Sequence, residues 1–356
     1  MKDNTRLPSL DGWRGIAILM VIIGHEIMYR IQSGLLPQTS LLSFFAWHVY
    51  GVQAFFVISG FIITWLLIKE ENTYGRISLK GFYLRRFLRI VPPLFAYLFI
   101  LFLLAHLFPH KIISKIVWFK AIFFLTNFMS FGFSWNTLHL WSLAIEEQYY
   151  LFWPVIFRIR KLSVLIAVLF ICIAPILRVI EYRHPGSIGI YSFFIRSDSI
   201  FIGALFALYN NKIKAMRNTI IEWLILAATV LCVLAEKTHV FIFSSLTIPF
   251  CISFFSLSVV ILIKWSMVEG TLLYRFLNNR PLVWIGKISY GLYLWQQLFY
   301  PYSVLGDCVA TRFPFNFICM FLCAFLSYQF IEKPVLKLRK KIMERNFIQQ
   351  NRIDKE

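Results

Sequence analysis

Residues 11–26 read DGWRGIAILMVIIGHE, an apolar run with an arginine, Arg14, at one end and a histidine, His25, eleven residues later. Eleven residues turn an α-helix through roughly 1100°, about 20° past three full turns, so both side chains lie on one stripe. An ionisable side chain within the hydrocarbon costs about 2.5–3.5 kcal/mol and usually faces a protein interior or a water path. The pair indicates either a working site or a polar contact between helices combined with an arginine at the cytoplasmic face.

The composition identifies the class of protein. Of the 356 residues, 59% are hydrophobic and 18% aromatic, whereas soluble domains are about 45–50% apolar. We therefore predict an all-α fold, a polytopic integral membrane helix bundle. The net charge of +19 comes from basic residues between apolar segments and near the C-terminus, a pattern typical of topology determinants, so we expect no nucleic-acid partner.

The six cysteines lie almost all within apolar segments and show no metal-binding spacing, so we interpret them as packing residues and expect no metal. A spanning helix needs about 20 apolar residues. Ten segments qualify: 12–31, 48–68, 90–108, 138–157, 162–181, 191–209, 219–236, 240–263, 282–302 and 313–332.

An eleventh apolar stretch, 115–133, is interrupted by Lys120, Thr126 and Asn127. If this stretch does not cross the bilayer, most of the lysines and arginines fall on one side, which positive-inside topology makes cytoplasmic. We therefore expect about ten transmembrane helices, both termini in the cytoplasm, and an outer loop that holds a re-entrant or interfacial segment. The predicted organisation is a membrane domain over 1–335 and a basic cytoplasmic tail over 336–356.

A second constellation is the arginine cluster that follows Ser78. Ser78 can cap a helix that runs to Pro92 and Pro93, and on it Arg85, Arg86 and Arg89 fall within an arc of about 100°. Guanidinium groups at a membrane surface suit bidentate recognition of phosphates. The same cluster is also consistent with anchoring to lipid headgroups.

Two adjacent carboxylates form the third constellation, inside the apolar segment 138–157. His139, Ser142 and Glu146 are spaced to share a helix face, while Glu147 points about 100° away. A salt bridge to another span is one explanation. A proton-handling or substrate-orienting role is the other.

A fourth polar pair, Arg196 and Asp198, also lies within a predicted span. The two residues are about 200° apart on a helix and so cannot both line one cavity. With the N-terminus inside, Arg14 and the arginine cluster lie at the cytoplasmic face, His25 three helical turns further in, and Glu146 about 12 Å below the outer face. A polar track therefore crosses the predicted bundle.

These residues carry a family resemblance that covers positions 10–334. The chain resembles acyltransferase family 3 of membrane proteins, whose bacterial members O-acetylate surface and secreted polysaccharides. The matching elements are the DGWRG start with His25 eleven residues after Arg14, FFVISGF at 55–61 with Ser59, Arg86 with Arg89, Trp141-Ser142-Leu143 with Glu146-Glu147-Gln148, Arg196 with Asp198 and Gly203, and Glu332-Lys333-Pro334.

The resemblance implies transfer of an acetyl group from cytoplasmic acetyl-CoA, a co-substrate rather than a bound cofactor, to a sugar hydroxyl. The acceptor would be a polysaccharide or lipid-linked glycan, such as O-antigen lipopolysaccharide or exopolysaccharide, at the outer side of a bacterial inner membrane. His25 would be the base or a transient acyl carrier and Arg14 its partner. Arg86 and Arg89, with Arg85, would contact CoA phosphates, and Glu146 or Glu147 would lie near the acceptor. Supporting positions are Ser59, Trp141, Ser142, Arg196 and Asp198.

Two other functions remain open at this point. A transporter or flippase would use the same intramembrane charges to bind a moving substrate, and inverted repeats would favour it; the sequence shows none. Some relatives carry an added extracytoplasmic SGNH hydrolase-like domain, so the chain could also donate acetyl groups to a separate periplasmic transferase.

Overall fold

The computed structural model describes residues 9–108, 113–128, 132–189, 191–215, 219–238 and 244–338. All regular structure among these residues is helical and no β-strand occurs there, which confirms the all-α prediction. The α-helices are α1 (Leu10–Gln32), α2 (His48–Tyr74), α3 (Leu79–Leu107), α4 (Lys115–Ile122), α5 (Trp135–Leu138), α6 (Leu140–Ile156), α7 (Arg160–Arg183), α8 (Phe193–Arg196), α9 (Asp198–Ala215), α10 (Thr219–Thr238), α11 (Ser244–Ser266), α12 (Leu272–Leu277), α13 (Arg280–Trp295) and α14 (Phe315–Ser327).

The described helices make this a multi-pass membrane protein by length and composition. Six segments are long and apolar enough to cross a bilayer: Leu10–Gln32, Leu41–Tyr74, Leu79–Leu107, Arg160–Arg183, Pro249–Ser266 and Phe315–Leu338. Each of the ten predicted segments contains a helix, but α6, α9, α10 and α13 are not among these six. The count of ten spans therefore stays a prediction.

The ambiguous stretch 115–133 contains a single short helix in its described part. The eight residues of α4 extend about 12 Å, less than the roughly 30 Å of a hydrocarbon core, and turns follow over 123–127. Lys120, one of the interrupting residues, is buried and donates a hydrogen bond to the carbonyl of Gly132. This geometry agrees with a segment that does not cross as a helix.

Helix α3 differs from the sequence-based expectation. Ser78 caps its start as predicted, accepting a hydrogen bond of 3.1 Å from the backbone N–H of Gly81. The helix then continues through Pro92 and Pro93 to Leu107, whereas the sequence suggested a helix that ends at the prolines. The arginine cluster and the third apolar segment thus belong to one helix of 29 residues.

Contacts divide the chain into two compact units. The first unit comprises Met1–Arg76, Phe124–Phe131 and Leu140–Ser289; the second comprises Ile77–Phe123, Gly132–His139 and Tyr290–Glu356. The predicted division into a membrane domain and a tail at 336–356 stays a prediction, and 339–356 lie outside the described residues.

Reciprocal glycines hold α2 and α9 together within the first unit. A Cβ atom on Gly60 would collide with the carbonyl oxygen of Ile200, and one on Gly203 would collide with that of Val57. Only glycine lets the two backbones approach this closely, as in other small-residue contacts between membrane helices. The two helices therefore pack as the centre of this unit.

A buried ion pair fixes α7 to the start of α9. Arg178 donates to both carboxylate oxygens of Asp198, at 3.0 and 2.8 Å, and Ser253 of α11 donates to the same carboxylate at 2.6 Å. Arg178 also donates to the carbonyl groups of Ile195 and Pro249, at 2.7 and 2.6 Å. Its side chain is 6% exposed and that of Asp198 is 0% exposed, so the bundle itself satisfies both charges.

We predict that substitutions of Arg178 and Asp198 have strongly coupled effects on stability. Arg178→Met should lower the free energy of unfolding by about 3–5 kcal/mol, because it leaves the Asp198 carboxylate buried and unpaired. Asp198→Asn should also destabilise the protein. The double variant should lose less unfolding free energy than the sum of the losses in the two single variants. Denaturant or thermal unfolding in detergent measures the three differences.

The exposed pair Arg312 and Asp307 provides the control. Arg312 donates to both Asp307 oxygens at 2.8 and 2.7 Å, and this hydrogen bonding lowers the pKa of the Asp307 carboxyl. Because both side chains are more than half exposed, Arg312→Ala should leave the unfolding midpoint unchanged. Strictly additive effects of the two buried substitutions would contradict the predicted coupling.

Candidate active site

The candidate site contains a contact between two histidine rings, those of His25 and His48. His48 is the first residue of α2, and its ring centroid lies 4.9 Å from that of His25, with the ring planes tilted by 30°. Both side chains are half-buried. A Cβ atom on Gly24 would lie 2.9 Å from the backbone nitrogen of Trp47 and 3.0 Å from the Cα of His48. The missing side chain at Gly24 therefore lets α1 approach the start of α2, and the two imidazoles meet.

Arg14 lies at a different level of α1 from His25. It is half-buried and precedes His25 by eleven residues of continuous helix, which corresponds to about 16 Å along the helix axis. The two residues share a stripe, as their spacing predicts. Any cooperation between them acts across three helical turns.

Glu146 is bound to α2 and to its own helix. Its Oε1 accepts a hydrogen bond of 3.0 Å from Ser59, and its Oε2 accepts one of 3.1 Å from Tyr150. Glu146 is half-buried, whereas Tyr150 is buried. The structure thus brings together two predicted residues, because the hydroxyl group of Ser59 donates a hydrogen bond to the carboxylate of Glu146.

The position of the Ser59–Glu146 contact along the helix axes follows from how α1 packs against α2. Gly24 packs against His48 and Gly51 packs against Ala17, so the two helices run antiparallel. Ser59 lies eleven residues, about 16 Å, beyond His48 along α2. The carboxylate of Glu146 therefore lies near the level of Arg14 and about three turns from the histidine pair. The expected depth of Glu146, about 12 Å below the outer face and far from Arg14, was wrong, because Ser59 binds it three turns along α2 from His48.

A third contact joins two further predicted residues. The guanidinium carbon of Arg196 lies 5.7 Å from the ring centroid of Trp141, whose ring also contacts those of Tyr191, at 4.9 Å, and Phe56, at 6.0 Å. Arg196 is 7% exposed, and a buried cation over an indole face is stabilised by cation–π attraction. Asp198 points to Arg178 instead.

The remaining two predicted residues of α6 occupy different surroundings. Ser142 is buried, and Glu147 is half-buried. His139 precedes α6 and packs within the second unit, where its ring centroid lies 5.6 Å from that of Tyr97 and 5.2 Å from that of Tyr293. His139 therefore belongs to the second unit, whereas Ser142 and Glu146 belong to the first.

The three arginines of the cluster lie in the first half of α3, in the second unit. Arg85, Arg86 and Arg89 are all half-buried, so each stem packs against protein while part of the side chain stays accessible. The guanidinium carbon of Arg86 lies 5.7 Å from the Phe82 ring centroid. Three planar cationic groups thus lie within one arc of this helix.

Sequence reasoning did not identify His48, Tyr150 or Arg178. A signal existed for His48, because its spacing of eleven residues from Ser59 repeats the spacing of Arg14 and His25. Arg178 is a charge within an apolar segment, which is itself a sign of a buried partner. Within the described residues no group of three His, Cys, Asp or Glu side chains converges as a metal site would require.

Comparisons with known proteins find relatives that are described as O-acetyltransferases. The chain is 28% identical over 366 residues to "Putative peptidoglycan O-acetyltransferase YrhL" of Bacillus subtilis, an alignment that covers 92% of this chain and 55% of that protein. It is 27% identical over 376 residues to "Peptidoglycan O-acetyltransferase OatA" of Listeria monocytogenes, with 95% and 58% covered. The chain spans a little over half the length of these curated relatives.

No solved structure matches the chain. The family profile described as "Acyltransferase domain" matches residues 7–330. That range includes all twelve predicted site residues, from Arg14 to Asp198, and contains the three contacts that α2 makes with His25, Trp141 and Glu146. The chain therefore belongs to this acyltransferase family.

Proposed function

We propose that this protein transfers an acetyl group from cytoplasmic acetyl-CoA to a sugar hydroxyl of an envelope polysaccharide, at the outer side of a bacterial inner membrane, with both termini in the cytoplasm. The observation that carries the proposal is the half-buried His25, held in a long apolar helix against a second imidazole. Membership of an acyltransferase family supports group transfer over transport. A neutral imidazole near physiological pH is suited to take a proton from a hydroxyl group.

The donor would be recognised by charge. Acetyl-CoA is polyanionic, so its phosphates need cationic partners at a membrane surface, and guanidinium groups bind phosphate through paired hydrogen bonds. We assign this role to Arg86 and Arg89, with Arg85 beside them. The thioester lies at the end of a flexible arm and can enter an apolar bundle while the phosphates stay outside.

In the transfer step that we assign to His25, the imidazole removes the proton of the acceptor hydroxyl. The acceptor oxygen forms a bond to the acetyl carbonyl carbon while its O–H bond breaks and the proton passes to an imidazole nitrogen of His25. The C–S bond of the thioester then breaks, and the electron pair leaves with sulfur. The thiolate accepts the proton from His25, so the products are the acetyl ester and CoA thiol, and the imidazole is neutral again. We assign Glu146, hydrogen-bonded by Ser59 and Tyr150, to ordering polar groups along the path.

The acceptor class is proposed as an envelope glycan. The two named relatives are described as acting on peptidoglycan, and O-antigen or exopolysaccharide offers the same chemistry, a sugar hydroxyl. Mass spectrometry of each glycan from cells with and without this gene tests the proposal. We expect acetyl groups that disappear from one glycan on deletion and return on complementation; unchanged acetylation of every envelope glycan would contradict it.

We predict that His25→Ala and His25→Gln abolish this acetylation while expression stays near the wild-type level. Glutamine keeps hydrogen bonding but cannot accept a proton, and loss of a general base typically costs about 10²–10⁴-fold in rate. The rate of acetyl transfer by the purified variants measures the effect. His106→Ala is the matched control, because His106 is exposed and bonds to a backbone carbonyl of its own helix. Activity retained by His25→Gln would remove the base assignment.

The arginine assignment generates a second prediction. Arg86→Ala and Arg89→Ala should each weaken acetyl-CoA binding by about 1.5–3 kcal/mol, the value of a hydrogen bond to a charged group, and lysine should restore only part. Calorimetric titration of the detergent-solubilised protein measures this, with Arg312→Ala as a control. Lipid anchoring predicts the opposite outcome, namely poorer membrane insertion with unchanged affinity in the protein that inserts.

A further inference from the structure

The contact between His25 and His48 links the proposed reactive histidine to a residue with no assigned role. The ring centroids are 4.9 Å apart and the planes are tilted by only 30°. The arrangement is closer to stacked than to edge-on. A ring in this position limits rotation of its neighbour about the Cβ–Cγ bond, because turning the imidazole would bring its edge into the stacked face.

The backbone around the pair is closely packed. Gly24, directly before His25, lies against the backbone of Trp47 and His48. His48 is the first residue of a helix of 27 residues, so its Cα is fixed by the following turns. Glu26, directly after His25, forms an ion pair of 2.7 Å with Arg30 one turn later. The stacked rings therefore join two helix segments whose backbones are held in place.

The contact also affects the charge that the proposed reaction generates. When His25 takes the acceptor proton it becomes a cation inside an apolar helix. A cation against an aromatic face is stabilised, more strongly where water is excluded, and catalysis gains from interactions that are stronger in the transition state than in the ground state.

We infer that His48 is a positioning residue for acyl transfer: its aromatic ring fixes the orientation of the His25 imidazole and stabilises the imidazolium that forms there. The inference rests on the proposed function, since it requires His25 to be the base. It assigns the role to the ring of His48 and not to its nitrogen atoms.

Two substitutions of similar bulk separate the ring from simple packing. His48→Phe keeps an aromatic face against His25, and its kcat should stay close to the wild-type value. His48→Leu fills the space without an aromatic face, and its kcat should fall about five- to thirtyfold, as expected from loss of a cation–π contact. The KM values for acetyl-CoA and for the acceptor glycan should be unchanged in both variants, and their unfolding midpoints should agree.

Kinetics of the detergent-purified variants, with His25→Gln in parallel, test the inference. Equal kcat for the phenylalanine and leucine variants would overturn it, as would an effect confined to KM. If His25→Gln is inactive and His48→Leu keeps the full kcat, this inference fails and the base assignment stands. If His25→Gln keeps its activity, the proposed function has lost its base and this inference falls with it.

Discussion

An ionisable side chain in an apolar helix must find its partners within the protein, because hydrocarbon supplies none. The described contacts of the first unit follow this constraint. Asp198 is fully buried, yet it accepts hydrogen bonds from Arg178 and Ser253. Arg196 lies over an indole ring, and Glu146 accepts two hydroxyl hydrogen bonds. Each of these charged side chains is therefore bound to a side chain of another helix.

Helix α2 contacts three of the predicted site residues. Its His48 meets His25, its Phe56 ring meets Trp141, and its Ser59 binds Glu146. One rigid helix thus holds three predicted site residues from α1 and α6 at fixed spacings. The glycine contacts of Gly60 and Gly203 also bring α2 against α9, so this helix is packed against a third helix as well. A site built on helices in this way is more precise than one built on loops.

The sequence predicted the parts of the structure that local pattern controls. The apolar runs located helices at all ten predicted segments, Ser78 was identified as a cap, and the eleven-residue spacing placed Arg14 and His25 on one stripe. The prediction that the helix ends at Pro92 and Pro93 was wrong, because the helix continues through both residues to Leu107. The pairings of His25 with His48, of Ser59 with Glu146 and of Arg178 with Asp198 join residues far apart in the chain. They depend on which helices pack together, and no single-sequence pattern reports that.

In the proposed reaction, acetyl groups pass across the membrane from a donor on one side to a glycan on the other. Proteoliposomes that enclose the acceptor glycan, with labelled acetyl-CoA added only outside, test it directly. We expect label on the enclosed glycan, dependent on His25, although acetyl-CoA itself cannot cross the bilayer. Label on the glycan only when both substrates share one side would contradict it.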